Sequence, residues 1–210
     1  MSKQKKILKI PFFSQWESAQ LVEDIVKGKI WASSDPKWKN SGAESTEEYI
    51  YWSWNICGMA CLKMILADKF DKEYKLIELA KSCESYGGYR RNGNKIEGLF
   101  YKPFSVFLKQ DYGLKARVWG WFLTIGRIRK EIEKGNYVMA SVNAHIRDLG
   151  KEPMFKGGHL VLVTGYDRES HVLYLHNPSG FWKQSQQNFE ITENDFRKYF
   201  AGRGIVIDNS

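Results

Sequence analysis

An α+β fold is predicted by three features of the 210-residue sequence. Apolar residues recur at helical spacing through much of its first two thirds, β-rich runs crowd its last third, and no repeat, low-complexity tract or Pro/Gly-rich linker divides it. Hydrophobic residues make up 43% and aromatics 15%, enough apolar surface to offset the entropy of ordering such a chain. A single domain spanning 1–210, with a decorated front end, is therefore expected.

Taken in order, "ILKIPFF" is a short β-prone segment ended by Pro11, and "ESAQLVEDIVKGK" reads as a helix stopping near Gly28. Residues 31–54 are turn-rich and hold Trp31, Trp38, Trp52 and Trp54, half of the eight tryptophans; these rings either cap one side of the core or line a substrate cleft. From Cys57 to about Asp68 the pattern is apolar nearly all round, as in a central buried helix. Helices are predicted over 73–85 and 101–112, joined by the glycine-rich "YGGYRRNGNKIEG", which reads as a mobile loop. "GLKARVWGW" reads as a strand, "LTIGRIRKEIEKG" as a helix capped by Thr124 and stopped by Gly135, and "NYVMASVNA" as a strand. "GGHLVLVTGYD" and "HVLYLHNP" are two β-rich runs about a turn, followed by a short helix near "ENDFRKYF" and a last strand in "GRGIVIDN". Helices first and an antiparallel sheet afterwards give the α+β class.

Charge and composition narrow the function. The formal charge of +8 arises from 32 basic and 24 acidic side chains spread along the chain, and the cluster Lys3, Lys5, Lys6 and Lys9 reads as a solvated tail. Without a zinc-finger, RRM-like or helix-turn-helix signature, no nucleic-acid partner is expected. No apolar run approaches the roughly 18 residues a bilayer requires, and the first residues lack a secretory apolar region, so no integral membrane segment and a cytoplasmic product are expected. Three cysteines without CxxC pairs predict reduced thiols and no disulfide framework. Oligomeric state is not written in the sequence.

The chemistry-bearing residues begin with "WNICGMACLKMIL". A thiolate attacks carbonyl carbon, so a nucleophilic cysteine needs a group that lowers its pKa and a base that takes and returns a proton. Cys57 opens the apolar helix, where unpaired N–H groups and the macrodipole favour an anion, and Gly58 has no Cβ to obstruct a substrate. Cys61, one turn on, and Cys83 read as core thiols. Among four histidines, His159 opens a strand after Gly157 and Gly158; it is either the base or a satisfied core histidine. A hairpin about "DRES" puts residue 159 opposite 177 or 178, bringing Asn177 within roughly 5 Å at Cβ, where an amide oxygen could fix the imidazole tautomer. His176 should point to the opposite face, while His145 lies at a strand end and His171 after a turn. Acyl transfer also needs oxyanion donors, the Cys57 N–H and a side-chain amide, for which Gln15 is the candidate. No familiar zinc-ligand spacing joins the cysteines and histidines, so no metal is expected.

Together "IPFFSQ", "NICGMACLKMIL", "GGHLVLVTGYD" and "LHNPSG" resemble the papain-like cysteine peptidases of the bacteriocin-processing (double-glycine leader peptidase) family, in particular its stand-alone relatives. The resemblance implies a papain-like fold with the nucleophile at a helix N-terminus packed on a C-terminal antiparallel sheet, and a peptide or small amide substrate. It maps catalytic roles onto Gln15, Cys57, His159 and Asn177, with Gly58, Gly158 and Trp54 as substrate contacts and no cofactor. Three departures stand out: Asn177 replaces the commoner aspartate, Met59 replaces a proline after Cys-Gly, and residues at about 16–54 look like an aromatic-rich insertion between the glutamine and the cysteine. Cleft walls set specificity, and residues 31–54 are expected to rebuild them, so the family's leader preference does not carry across. The competing functional classes are a non-catalytic peptide-binding module on the same scaffold and a cysteine-dependent acyl transferase.

Overall fold

The computed structural model describes residues 4–93 and 95–209. In chain order the elements are β1 (Lys5–Ile7), α1 (Val22–Val26), α2 (Thr46–Ser53), α3 (Cys57–Phe70), α4 (Leu76–Ser85), β2 (Arg91–Asn92), β3 (Lys95–Ile96), α5 (Tyr101–Tyr112), β4 (Ala116–Trp119), α6 (Ile125–Lys134), β5 (Tyr137–Val142), β6 (His159–Asp167), β7 (Val172–His176), β8 (Phe189–Thr192), α7 (Glu193–Tyr199) and β9 (Phe200–Ile207). The main sheet is antiparallel, ordered β4-β9-β5-β6-β7-β8, with β1 paired to β6.

β6 lies near the middle of this sheet and is covered on both faces. Its alternate residues Leu160 and Leu162 join Met139, Ile205 and Ile207 in packing against the helical side, where Met59, Leu62 and Leu66 of α3 lie. Val161 and Val163 face the other way, with Val138 and Val206, toward Ile128 and Ile132 of α6 and Phe196 of α7. The two-sided cover explains why "HLVLVTGY" reads as a continuous apolar run rather than a polar/apolar alternation. α3 is apolar all round for the same reason: Leu62, Met64, Ile65 and Leu66 are wholly buried, each contributing about 2 kcal/mol of apolar transfer. Among the described residues no single helix is long and apolar enough to cross a membrane.

Several local expectations need correction. The helix predicted from Glu17 is shorter: a 3-10 turn, Ala19–Leu21, precedes α1, and Gly28 at φ +70° ends the segment. The stretch expected to be turns contains α2, whose N-cap Ser45 accepts from the Glu48 N–H at 3.2 Å while the Glu48 carboxylate accepts from the Glu44 N–H at 2.7 Å. That Ser-x-x-Glu signal was available in the sequence. The glycine-rich link carries the two-residue ladder of β2 and β3, and β8 was not foreseen. Lys3 lies outside the described residues, and its neighbours are not a free tail: Lys5 faces Asp167 at 3.5 Å and Lys6 Nζ donates to the Glu133 carbonyl at 2.9 Å.

Candidate active site

Cys57 is the first residue of α3, half-buried, with no side-chain cap on the preceding Ile56. The N–H groups of the first turn are therefore free to face an anion. Burial pushes the thiol pKa up, while the N–H groups of Leu160 and Gly58 and the charge of Arg147 pull it back without cancelling the rise. The resting sulfur is accordingly a thiol. Cys61, a turn further on, is fully buried with Sγ 3.7 Å from the Leu160 carbonyl, and its pKa is raised well above the ordinary thiol range by burial.

His159 begins β6 after Gly157 and Gly158, which have φ of +99° and +92°. Two successive residues in this region suit only glycine, and a Cβ on Gly157 would also approach Arg203 Nη2 to 2.7 Å. His159 is 5% exposed. Its Nε2 lies 2.8 Å from Asn177 Oδ1 and 3.0 Å from Ser179 Oγ. The Ser179 backbone N–H donates to that same Asn177 atom at 3.2 Å, which identifies it as the amide oxygen. Since an oxygen can only accept here, Nε2 carries the imidazole proton, and Nδ1 is left with a lone pair. Burial first, then the nearby Arg147 charge, hold the His159 pKa down to about 3 against the opposing effect of Asn177. Neutral imidazole is the form present at physiological pH.

The Asn177–His159 juxtaposition arises differently from the simple hairpin expected. β6 and β7 pair Leu162 with His176 and Val163 with Leu175, then shift by one residue through a bulge before Gly165 meets Tyr174. Asn177 therefore lies beyond the end of β7 and reaches His159 from the following turn. Its backbone is pinned by Asn177 N–H to the Gln186 carbonyl at 2.9 Å and Gly180 N–H to the Asn177 carbonyl at 3.0 Å. Ser179, two residues on, was missed by sequence reasoning; its only signal was a hydroxyl in "HNPSG".

Gln15 sits at the same place despite standing far from Cys57 in sequence. Its N–H and the Ser14 hydroxyl both donate to the Pro178 carbonyl, at 3.0 and 2.9 Å, tying this segment to the turn that carries Asn177. Gln15 Nε2 donates one hydrogen to the Ser53 carbonyl at 2.9 Å, leaving a second. Gln15, Trp54, Cys57, Gly158 and His159 all line one cleft of about 900 Å³, in which Trp54 meets Trp16 edge to face at 5.1 Å. Gly58 does not line it. The space a Cβ would need there is taken by Leu99 at 2.7 Å and Leu160 at 3.2 Å, so this glycine allows close packing of the helix rather than approach of a substrate. Trp52, by contrast with Trp54, is wholly buried, and Trp31 is exposed; the aromatic-rich stretch thus divides between core, cleft and surface. No hydrogen bond joins the Cys57 thiol to His159 among the described residues, and such contacts in free enzymes commonly tighten only with substrate bound.

The arrangement can hold an acyl group beside a thiol, with a neutral imidazole nitrogen facing no other described donor. Comparison with known proteins agrees in kind. A crystal structure of a protein from Bacillus anthracis, given as a candidate C39-like peptidase, shares the fold at a TM-score of 0.50 and 15% identity, with 98% of each chain covered. No curated protein matches the sequence. The Peptidase_C39 like family matches residues 7–205, nearly the whole length, and the chain belongs to that family.

Proposed function

We propose that this protein is a cysteine peptidase in which Cys57 attacks a peptide or related amide carbonyl. His159 Nδ1 takes the thiol proton as the sulfur–carbon bond forms, and the tetrahedral oxyanion is held by the Cys57 N–H and the second Gln15 Nε2 hydrogen. The imidazolium then gives its proton to the leaving nitrogen, and water, deprotonated by the same nitrogen, releases the acid and restores the thiol. Asn177 and Ser179 keep the ring in the Nε2–H tautomer throughout. Residues at about 16–54 act as an added wall of a single peptidase domain, contributing Trp16 and Trp54 to the cleft.

The observation that carries this reading is the tautomer: a buried imidazole locked by a 2.8 Å bond to an amide oxygen, with its other nitrogen available, lines the same cleft as a cysteine at a helix start. The test is incubation with a peptide library and mass-spectrometric identification of products, alongside a chloroacetamide thiol probe. New carboxyl termini and labelling at Cys57 are expected. Peptides bound but recovered intact with Cys57 unlabelled, or peptides joined to an added amine, would replace peptidase by binding module or acyl transferase respectively.

A further inference from the structure

The sequence contains nine arginines, and five of them, Arg91, Arg117, Arg129, Arg168 and Arg197, are ion-paired with carboxylates. Three of the others, Arg90, Arg147 and Arg203, line the cleft together with Lys102. None of these four cations has an ion-pair partner among the described residues, and the cleft lining contains one acid, Glu97. Of the six arginines outside this cleft, five are neutralised and the sixth, Arg127, lies over the Trp119 ring; at the cleft all three lack a carboxylate partner among the described residues.

Arg147 and Arg203 are the informative pair because both are half-buried. Arg147 follows β5 in the 3-10 turn Ala144–Arg147, and its Nε donates to the Ala144 carbonyl at 2.8 Å. Arg203 projects from β9 beside Ser141, with Nε 3.4 Å from Ser141 Oγ, and Tyr101 interacts with both. Ser141 is skipped where the β5–β9 register shifts between Ala140 and Val142, the kind of irregularity that re-aims side chains at a site. Removing a guanidinium from water without an anion is costly, and the planar fork it presents suits a carboxylate. A cleft dominated by one sign of charge also concentrates ligands of the other.

We infer that the cleft selects substrates bearing a carboxylate close to the scissile amide, bound by Arg147 and Arg203. The inference rests on the peptidase reading for the word substrate, though not for the binding itself. Arg147 lines the same cleft as Cys57 and His159, and its charge acts on both, which places a carboxylate bound to it on the substrate's path past these two residues. The carboxylate could belong to an acidic side chain or to a peptide C-terminus.

The test reads binding in the full-length Cys57→Ala protein by fluorescence anisotropy. Its ligands are three labelled, C-terminally amidated decapeptides of Gly, Ser and Ala carrying four Glu, four Lys or no charge, plus the neutral peptide with a free C-terminus. At least tenfold tighter binding of the Glu peptide, or of the free-acid peptide, than of the amidated neutral one is expected. That ratio should shrink in 0.5 M salt and fall several-fold in Arg147→Met and Arg203→Met, with Arg147→Lys retaining part of it. Equal binding of charged and neutral peptides, no binding of either carboxylate peptide, or a preference surviving the double Met variant with an unchanged melting temperature would overturn the inference. The comparison among the four peptides needs no arginine variant to fold. Acidic preference without cleavage would defeat the peptidase reading alone, and cleavage without acidic preference would defeat this one alone.

Discussion

The mouth of the cleft and the wall behind it use the same two residue types to opposite ends. At the wall, Cys61 is sealed in α3, and His176 is saturated: the Asn188 N–H donates to its Nδ1 at 3.0 Å, so Nε2–H donates to the Ile10 carbonyl at 2.9 Å. At the mouth, Cys57 is half exposed, and His159 has the same Nε2–H tautomer but no backbone donor on Nδ1 among the described residues. Both histidines are held below the ordinary imidazole range by burial. Burial and pKa therefore do not separate the two pairs; the unfilled lone pair does.

The sharpest way to break this comparison is to exchange the roles of the two thiols. Cys57→Ala is expected to lower turnover by on the order of 10⁴-fold or more while leaving the melting temperature unchanged. Cys61→Ala should keep turnover and lose about 1 kcal/mol of stability to the small cavity created. Steady-state kinetics with urea unfolding of both variants checks the pair, and equal activity losses would erase the distinction between mouth and wall. Next in size, Asn177→Ala should lower kcat by about 10²-fold with little change in KM, because the ring loses its tautomer restraint rather than a substrate contact. A KM effect of the same size would place Asn177 in substrate binding instead.

How much of this could be read from the sequence depends on the range of the interaction concerned. Local signals were legible: α5 begins and ends at the expected residues, Thr124 caps α6 by accepting from the Arg127 N–H at 3.2 Å, and Gly135 ends it at φ +88°. The start of α3 at Cys57 was equally plain. The capping pattern before α2 was present in the sequence and was outweighed by the turn-forming residues ahead of it. β8 is four residues with one buried side chain, too short for its period to register. The meeting of His159 with Asn177 was expected from a regular ladder, whereas a bulge near Gly165 and a turn after β7 produce it. A Cβ at Gly165 would come within 2.5 Å of the Lys6 carbonyl, so β1 packing explains why glycine stands there. Arg147 and Arg203 reach the cleft, and Ser179 the buried side of the His159 ring, from separate elements, and nothing local in their surroundings signals it.

The two histidines also make a pH prediction. In the unfolded chain an imidazole takes up a proton near pH 6.5, whereas folded His159 resists protonation down to about 3. Its contribution is thus fully present above pH 6.5 and is lost progressively as pH falls toward 3. Between pH 7 and pH 5 the loss from His159 alone is about 2 kcal/mol. Urea unfolding of the Cys57→Ala protein at the two pH values measures it, and His159→Gln should flatten the slope by close to one proton. An unaltered slope would assign the acid sensitivity to His176 or to other groups.

The smallest effect expected is also the most discriminating. Ser179 Oγ lies 3.0 Å from His159 Nε2 and 3.5 Å from Asn177 Oδ1, so the hydroxyl supports a restraint that Asn177 already supplies. Ser179→Ala should lower kcat by about three- to tenfold with KM unchanged, since a neutral hydrogen bond contributes about 1 kcal/mol. In the Asn177→Ala background the same change should matter differently, because the two groups share one proton and their effects cannot simply add. Strict additivity in the double-mutant cycle would mean that Ser179 acts on something other than the imidazole, such as the turn it helps to form. A coupling of 0.5 kcal/mol or more, of either sign, would tie both residues to the one Nε2–H that keeps the His159 Nδ1 lone pair turned toward the cleft, where that of His176 is filled by the Asn188 N–H.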